Sequence, residues 1–524
     1  MLAISASFPP SSAGRSRASS PRGRRRGRRR DDGSGWRSRR RSSSIRERGL
    51  GHRTEATWNV ARGDGTLRIG RVGGSSLKVA LISPKGPLYR SRGGIFGKSL
   101  RYQPLTLTTL AALAPAELDV EFRLYDEGIA DVPSDLDADL VGLTVITGSA
   151  PRAYELSAAL RARGLPVVLG GPHVTLVPEE AQDHADAICV GYAEESWPRL
   201  LRDFAAGRMA RRYDQGPDFR LTNLPFPRRD LLDGRKFLTQ AVFEAARSCA
   251  HDCEFCVAPT AWGRKPFQKP IDHVVEDIRR VGARKILFVD LNLVSDRAYA
   301  VDLFTALAPL KVRWFGLSTS LIGRDPELME LMARSGCAGL LIGFETVSKA
   351  GLGTIRKKFN DPALYADLIG DLHRLGISIQ GCFVFGNDED TEATFEETAD
   401  FVVETGIDLP RFAILTPFPG TPMHARLEAQ GRILSRDWSL YDGQHVVFRP
   451  ANMTPAELQA GHERAWKRAY RWSAIAKRLP HARSRLFLSL AANLGYRFYA
   501  HHLHTHYTCN WPELAGEGVA CASP

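Results

Sequence analysis

The chain has 524 residues, of which 43 % are hydrophobic and 25 % are charged, as in an ordinary globular protein. Its net charge of +13 comes from residues 1–53, which contain 16 Arg and only 3 acidic residues. The rest of the chain is close to neutral, so the charge does not indicate a nucleic-acid partner. No run of 18 apolar residues is present, so the sequence predicts no membrane-spanning helix.

Residues 1–75 are predicted to be disordered, because they are rich in Arg, Ser and Gly and lack apolar periodicity. No apolar stretch follows the arginines, so the segment is not a secretory signal. Three interpretations stay open. The segment is a solvated tail, an organelle transit peptide, or the product of a start site assigned too early. The last needs a non-Met codon, since no Met lies between Met1 and Met209.

The chain has eight cysteines, too few for a disulfide scaffold at this length. Three of them cluster and the others are scattered, a pattern typical of one metal or redox site in a reducing compartment. We therefore expect a cytoplasmic protein.

Residues 76–204 alternate strand and helix patterns, which predicts a doubly wound parallel sheet. The expected strands lie near 78–82, 120–126, 140–146, 166–171 and 187–191. The expected helices lie near 103–115, 151–163 and 176–184. Ligands of such sheets bind beyond the carboxyl ends of the strands. Small and polar residues collect there, namely Thr144, Thr147, Gly148, Gly170, Gly171, His173, Thr175 and Gly191.

Residues 205–240 are predicted to be a linker, and residues 241–428 contain a second alternating series of six βα units. The expected strands lie near 241–246, 285–290, 312–318, 338–344, 377–385 and 409–416. The expected helices lie near 271–281, 296–308, 325–335, 361–374 and 391–405. We predict a partial (β/α)6 TIM-like barrel with its site at the C-terminal rim. Residues 429–524 are predicted to be mainly helical.

The strongest local signal is the segment ARSCAHDCEFC at 246–256, directly after the first barrel strand. Cys249, Cys253 and Cys256 have the spacing C-x3-C-x2-C, and no fourth Cys is near. Three thiolates on one loop can hold a cubane iron–sulfur cluster and leave one iron open. A zinc site with His251 as the fourth ligand is the alternative, although His251 lies inside the first gap of the motif. A chance grouping of core cysteines is the third reading.

The pattern C-x3-C-x-aromatic-C after the first barrel strand resembles the radical S-adenosylmethionine (SAM) superfamily. The resemblance implies a [4Fe-4S] cluster whose open iron binds SAM, which is cleaved to a 5′-deoxyadenosyl radical. It also implies that rim residues bind SAM. The candidates are Asp290 and Asn292 near the SAM amine, Ser318 in GLSTS, Glu345 as a ribose-binding position, and Gly386 at the adenosine. The segment TPFPGTP (416–422) resembles one found in methylthiotransferase-like members.

A doubly wound domain directly before such a barrel resembles the cobalamin-binding domain of cobalamin-dependent radical SAM enzymes. The resemblance implies that corrin lies along the strand ends that carry Thr144, Thr147, Gly148, Gly170, Gly171 and Gly191. One departure is the loop SPKGPLYRSRGGIFG (83–97), which lacks the cobalt-binding His of many cobalamin domains. Cobalt would then have no protein His ligand. His173 is expected to be a packing residue.

We therefore expect a cobalamin-dependent radical SAM methyltransferase that acts on an unactivated carbon of a small or lipid-like substrate. A radical SAM cyclase or rearrangement enzyme with the same cofactors is the alternative. A methylthiotransferase-like RNA-modifying enzyme is disfavoured, because the N-terminal sheet has only Cys189 and cannot hold a second cluster. A non-enzymatic cobalamin-responsive protein is also disfavoured, because the predicted SAM-binding residues would then have no role.

The expected partners are an external electron donor of the flavodoxin or ferredoxin type and no nucleic acid. The C-terminal segments 457–479 and 486–503 have helical spacing and interleave cationic and aromatic residues. They are expected to be lid helices over the barrel, and peripheral membrane contact is the alternative.

Overall fold

A computed structural model describes residues 57–63, 66–72, 76–86, 102–481 and 486–503. Two of these ranges correct the prediction that residues 1–75 are disordered. Strands β1 (Thr57–Gly63) and β2 (Thr66–Val72) pair antiparallel over their whole length. The two strands flank the sequence Asp64-Gly65, a dipeptide that favours a hairpin connection. Composition alone does not reveal two short strands around such a dipeptide, so they were not predicted. Residues 1–56 lie outside the described part of the chain.

The N-terminal domain is built on a six-stranded parallel sheet with the order β4-β3-β5-β6-β7-β8. Its strands are β3 (Leu77–Ser83), β4 (Val120–Asp126), β5 (Leu140–Thr144), β6 (Val167–Gly170), β7 (Ala187–Val190) and β8 (Arg212–Asp214). The five predicted strands are all present. The sixth strand, β8, lies inside the segment expected to be a linker. It was not predicted, because three residues are too few to show a periodic pattern.

Helices pack on both faces of this sheet, as the doubly wound topology requires. They are α1 (Leu105–Ala112), α2 (Ala150–Ala162), α3 (Pro172–Leu176), α4 (Pro178–Asp183) and α5 (Ser196–Ala205). Helix α5 was not predicted, although its buried residues Trp197, Leu200, Leu201 and Phe204 lie on one face at helical spacing. The apolar strands form two cores, one on each face of the sheet.

The second domain is a parallel sheet of six strands that follow one another in space as β9-β12-β13-β14-β15-β16. They are β9 (Val242–Phe243), β12 (Lys285–Phe288), β13 (Arg313–Thr319), β14 (Cys337–Glu345), β15 (Ser378–Phe385) and β16 (Arg411–Ile414). Each crossover carries a helix, so the partial (β/α)6 barrel is confirmed. The short strands β10 (Ala246–Arg247) and β11 (Phe267–Gln268) form a separate antiparallel pair beside it.

The five barrel helices that the sequence predicts are all present, together with two short ones. They are α6 (Val257–Trp262), α7 (Ile271–Val281), α8 (Arg297–Leu307), α9 (Pro326–Arg334), α10 (Lys349–Thr354), α11 (Tyr365–Arg374) and α12 (Glu392–Thr405). Local capping fixes several ends: Asp296 and Asp325 accept hydrogen bonds from N–H groups in the first turns of α8 and α9. Gly282 ends α7 in the left-handed conformation. The short helices α6 and α10 were not predicted.

The C-terminal region consists of α13 (Pro422–Ala429), α14 (Pro455–Ala469), α15 (Trp472–Arg478) and α16 (Leu486–His501). The first expected tail helix is thus two helices, which meet at Tyr470 and Arg471. At this break Tyr470 is buried in an aromatic stack with Trp466 and Tyr496, and Arg471 has an extended backbone. Among the described residues, no helix is both long and apolar enough to cross a membrane.

Candidate active site

The three cysteines lie on the loop between β10 and α6, at the C-terminal end of the first barrel strand. The β10–β11 pair joins the start of this loop to the segment after α6, since Ala246 is in register with Gln268. Within the loop the Cys256 N–H donates to the Cys253 carbonyl at 3.1 Å. The Glu254 N–H donates to the Ile355 carbonyl at 3.1 Å, so the loop is also held by the fourth βα connection.

The three thiols are free cysteines, and two of them are strongly affected by burial. Burial raises the pKa of Cys253 to about 12 and raises the pKa of Cys256 as well. In the part of the chain that the structure describes, no three His, Cys, Asp or Glu side chains are grouped so that they could hold a metal ion. The cysteines are therefore neighbours on one loop rather than a preformed cage. Their soft sulfur ligands fit an iron–sulfur cluster, whose assembly deprotonates them.

His251, the proposed fourth ligand of a zinc site, has a different contact. Its ring stacks on Phe359 with 3.8 Å between the ring centroids and 18° between the planes. Burial is the main cause that lowers the pKa of His251. The contact with Phe359 gives His251 a packing role, and the structure adds no support for the zinc alternative.

Asp290 is buried at the end of β12 and holds the start of the cysteine loop. Its carboxylate accepts hydrogen bonds from the backbone N–H groups of Ala245, at 3.1 Å, and of Ala246. Burial, followed by the charge of Glu244, raises the pKa of Asp290 to about 7. Asp290 was predicted to contact the SAM amine. In the structure both of its oxygens accept hydrogen bonds from the backbone, so Asp290 positions the loop that carries the cysteines, and its contact with SAM stays a prediction.

Glu345 forms a buried ion pair with Lys357 at the end of β14. The Lys357 Nζ lies 2.5 Å from a Glu345 carboxylate oxygen and also donates to the Gly343 carbonyl at 3.0 Å. Glu345 has a left-handed backbone with φ of 66°, at an irregularity in the β14–β15 register. A non-glycine residue in that conformation is strained, which is characteristic of functional positions.

Lys357 also acts on the cysteines. Its burial opposes the charged form, but Glu345 and then Cys253 raise the pKa of Lys357. In turn Lys357 counteracts the rise in the pKa of Cys253. A buried ammonium group therefore stands between the predicted ribose-binding carboxylate and the cysteine loop.

The other predicted SAM residues also lie near the carboxyl ends of the barrel strands, but their side chains face different sides of the sheet. Asn292 is buried and accepts from the Val294 N–H at 3.3 Å. Ser318 lies on the side of β13 that carries Trp314 and faces the helices, whereas its neighbour Thr319 lies on the bore side with Phe315. The Thr319 hydroxyl is buried without a hydrogen-bond partner among the described residues, so Thr319 is the better candidate.

Gly386 has φ of 103°, and a Cβ there would come within 3.0 Å of Leu458 and Phe448. Its backbone N–H donates to Asp390 at 2.8 Å. Glycine is thus required by the fold itself at this position, which gives no separate sign of an adenosine contact.

The predicted cobalamin residues do share one edge of the N-terminal sheet. Thr144, Gly170 and Gly191 lie at or directly after the carboxyl ends of the neighbouring strands β5, β6 and β7. A Cβ on Gly170 would make only ordinary contact with Cys189, at 3.5 Å, so this part of the edge is free of bulk. Gly171 and Gly191 have positive φ values of 106° and 83°. An edge made of small residues fits a flat, wide ligand such as a corrin.

Thr147 and Gly148 lie in the turn after β5, and Thr147 contacts the buried His173. The two ring nitrogens of His173 lie 3.3 Å from the Thr147 hydroxyl and 3.1 Å from the Tyr154 hydroxyl. His173 is thus a packing residue with both nitrogens engaged, as predicted. The loop that lacks a histidine lies outside the described residues from position 87 onward.

The two domains are joined beside the cysteine loop. The Tyr192 ring, directly after the edge residue Gly191, stacks on Trp262 at the end of α6, with 5.4 Å between centroids and 7° between planes. The Arg247 guanidinium lies over Tyr192 and forms buried ion pairs with Glu194, at 2.5 Å, and Glu244, at 2.8 Å. Charged side chains are rarely buried unless they are paired, so this contact is specific.

Sequence reasoning missed Lys357, Thr319 and the Arg247–Glu194 pair. Lys357 stands beside Lys358 in the run RKK, and a short basic run is normally solvated. Burial alone distinguishes the two lysines, since Lys357 is buried and Lys358 is exposed. The ion pair joins residues 53 positions apart, in two domains, which no local pattern reveals.

Comparisons with known proteins identify the same two domains. A family model of the B12 binding domain matches residues 100–201, and one of the Radical SAM superfamily matches residues 243–402. The bacteriochlorophyllide d C-12(1)-methyltransferase of Chlorobaculum tepidum is 33 % identical over 395 residues, which cover 72 % of this chain and 84 % of that protein. The hopanoid C-2 methylase of Rhodopseudomonas palustris is 26 % identical, over 64 % of this chain and 66 % of that protein.

The fold is also that of a solved structure. The radical SAM methyltransferase TsrM from Kitasatospora setae, with cobalamin and a [4Fe-4S] cluster bound, aligns with a TM-score of 0.55 at 18 % identity. The alignment covers 68 % of this chain and 78 % of that one. The cofactors predicted from the sequence, a [4Fe-4S] cluster, SAM and cobalamin, are confirmed by the two family models. By its relatives and its two matched domains, this chain belongs to the cobalamin-dependent radical SAM enzymes.

Proposed function

We propose that this protein methylates an unactivated carbon of an apolar, lipid-like or polycyclic small molecule. The observation that carries the proposal is the joint between the domains. Tyr192 follows the proposed corrin edge and Trp262 follows the cysteine loop, so their stack supports two cofactor sites that lie side by side. A methyl carrier and a site of radical formation must both reach one substrate carbon, and this arrangement meets that requirement.

The residues of this chain have distinct roles in the proposal. Cys249, Cys253 and Cys256 hold the cluster, and Glu345, Thr319, Asn292 and Gly386 line the SAM site. Thr144, Thr147, Gly148, Gly170, Gly171 and Gly191 form the corrin edge. Together the cofactors supply hydrogen abstraction and the methyl group. Asp290 and Lys357 fix the cysteine loop and the Glu345 carboxylate, while the buried Arg247 pairs keep the two domains in register.

The barrel bore supports an apolar substrate. On β13 and β15 the side chains of alternate residues facing the bore are partly exposed, while those facing the helices are buried. The bore-facing residues include the apolar Phe315, Leu317 and Val384 and the polar Thr319, Ser378 and Gln380. Apolar side chains accessible inside a barrel favour an apolar ligand. The relatives that act on bacteriochlorophyllide d and hopanoids agree with this class.

The proposed electron donor is a small acidic carrier of the flavodoxin or ferredoxin type. An open groove of about 680 Å³ lies beside the cysteine loop, and its lining includes Asp252, Arg356 and Lys358. Arg356 and Lys358 are exposed, and neither has an ion-pair partner among the described residues. Unpaired cations near the cluster fit an acidic partner that delivers one electron. Six free cysteines in the described residues fit a reducing compartment, and we place the enzyme in the cytoplasm.

The test is anaerobic reconstitution of the full chain with iron, sulfide and cobalamin, followed by assay with SAM, reductant and candidate polycyclic substrates. We expect methylated product only when cobalamin is present, and a cluster EPR signal that changes on addition of SAM. Cys253→Ala should lose the signal, whereas Cys337→Ala, a buried cysteine at the start of β14, should keep it. A product that has lost hydrogen but gained no methyl group would replace methyl transfer by cyclisation. Stoichiometric zinc with no cluster would contradict the proposal altogether.

A further inference from the structure

Helix α16 presents apolar residues on two opposite faces. One face is buried against the barrel and α14, and it includes Ala492, Tyr496 and Tyr499. The other face exposes Phe487 by 88 %, Leu494 by 41 % and Phe498 by 41 %. These three residues are spaced by seven and four positions, so they form one stripe along the helix. A helix that is apolar on both sides normally has both sides covered.

The surroundings of this stripe are cationic. No Asp or Glu occurs between Glu463 and Glu513, while residues 464–512 contain nine Arg and Lys. Arg471 and Lys477 are exposed on the neighbouring α15. The Arg497 guanidinium lies 4.5 Å from the ring centre of Trp472, which is 60 % exposed. Three of the nine cations, Arg464, Lys467 and Arg468, pair with acidic side chains, and Asp400 on α12 also faces Arg471 and Lys477. Exposed apolar and Trp side chains beside an excess of cations are the features of a helix that lies in the interface of an anionic bilayer.

An apolar cavity opens directly beneath this helix. It holds about 90 Å³ and is lined by Leu488 and Ala492 of α16 together with the lower parts of β12, β13 and β14. From Gly339 at the cavity to Glu345 at the rim, β14 spans six residues, which is about 20 Å of extended chain. Leu317 and Leu341 line the cavity and are partly exposed to the bore. Above them the Lys357–Glu345 ion pair lies against Gly343, so the cavity and the rim are at opposite ends of the same bore.

We propose that the exposed face of α16, with Trp472 and the cations around it, binds the surface of an anionic lipid bilayer. Phe487, Leu494 and Phe498 enter the boundary between headgroups and acyl chains, while Arg471, Lys477 and Arg497 contact anionic headgroups. The cavity under α16 then faces the bilayer and gives an apolar substrate a way into the bore. This role in substrate entry rests on the proposed function, whereas binding to the bilayer does not.

The test is flotation of the full chain with phosphatidylcholine vesicles that contain or lack phosphatidylglycerol. Because the Arg-rich residues 1–53 also attract anionic vesicles, the assay is repeated at about 0.5 M NaCl, which screens binding by charge alone. We expect binding to the anionic vesicles that persists in part at high salt. The combined change Phe487→Ser, Leu494→Ser and Phe498→Ser should lower the bound fraction at high salt about tenfold. The double change Arg471→Glu and Lys477→Glu should lower it at low salt.

The matched control is Leu364→Ser, which removes another exposed apolar side chain, 45 % accessible, far along the chain from α16. Leu364→Ser should bind vesicles like the wild type, and circular dichroism should show that all variants are folded. Equal vesicle binding by the triple variant and Leu364→Ser would overturn the proposal. So would self-association of the wild type that the triple variant abolishes, because the face would then belong to a second copy. Vesicle binding requires no cofactor, so its failure and a failure of methyl transfer are separate results.

Discussion

The Tyr192 and Trp262 rings stack nearly parallel, 5.4 Å apart, and they link the first residue after the corrin edge to the last residue of the helix that follows the cysteines. Phe219 and Phe267 pack against Tyr192 in the same cluster. Because Phe267 belongs to the strand that pairs with the start of the cysteine loop, the loop and the cobalamin domain share one aromatic core. The two domains are thus held at this contact by aromatic packing.

Trp262→Ala should loosen this joint without removing either cofactor site. We expect the free energy of unfolding in urea to fall by about 1–3 kcal/mol, because a large ring is lost from a partly buried cluster. The ratio of methylated product to 5′-deoxyadenosine should fall, since methyl transfer needs both domains in register and SAM cleavage needs only one. Trp472→Ala, at an exposed ring, is the stability control. An unchanged product ratio in Trp262→Ala would mean that the stack has no role in coupling.

Lys357→Met should leave the Glu345 carboxylate buried and unpaired. Breaking a buried ion pair on one side costs about 3–5 kcal/mol, so the melting temperature should fall clearly. SAM affinity, measured by calorimetry on the reconstituted enzyme, should fall as well. Lys358→Met changes the exposed neighbour and should alter neither quantity. The double variant Glu345→Gln with Lys357→Met should recover stability but not SAM affinity. If Lys357→Met and Lys358→Met have the same melting temperature and the same SAM affinity, the ion pair is not part of the site.

Asp290 should make stability depend on pH. Its pKa is about 7 in the folded protein, raised above the ordinary value of 3.8 mainly by burial. The folded state therefore binds the proton more tightly, and the stabilisation it gives is complete below about pH 4 and is lost as the pH rises through about 7. Asp290→Asn removes this titration, so the difference in unfolding free energy between pH 5 and pH 8 should shrink. The exposed Asp302→Asn should retain the wild-type difference, and a wild-type profile in Asp290→Asn would contradict the expectation.

The double change Arg356→Glu and Lys358→Glu should separate two sources of electrons. With reduced flavodoxin as the donor, turnover should fall about tenfold or more, because the acidic partner meets like charges. With dithionite, a small reductant that needs no docking surface, turnover should stay at the wild-type level. Lys285→Glu reverses an exposed charge at the opposite end of the barrel strands and is the control. Equal losses with both reductants would assign the effect to the cluster loop instead of to docking.

Local patterns were sufficient for most of the fold. The helix at Ile271–Val281 has the predicted bounds, because its apolar spacing and the Gly282 stop signal are both local. The cysteine motif and the small residues at the strand ends were also visible in short segments. By contrast, β8 and the β1–β2 hairpin were missed, since short strands become recognisable only through their partners.

The candidate site divides in the same way. The residue types at the rim could be predicted, but the side of the strand could not be assigned for Ser318 and Thr319. Asp290 was predicted to contact SAM, yet its carboxylate faces two backbone N–H groups that lie 44 and 45 residues earlier. Such partners depend on the register between neighbouring barrel strands, which a linear pattern does not contain.

The sequence by itself determined the class of this protein: two α/β domains in tandem, a three-cysteine motif after the first barrel strand, and strand ends rich in small residues. These features depend on spacing along the chain, which reports backbone periodicity and ligand chemistry directly. Only the tertiary structure decided that Lys357 rather than Lys358 pairs with Glu345, that Tyr192 meets Trp262, and that α16 leaves an apolar face exposed above a cavity. Burial and long-range contact settle those choices, and both are properties of the packed chain rather than of any segment within it.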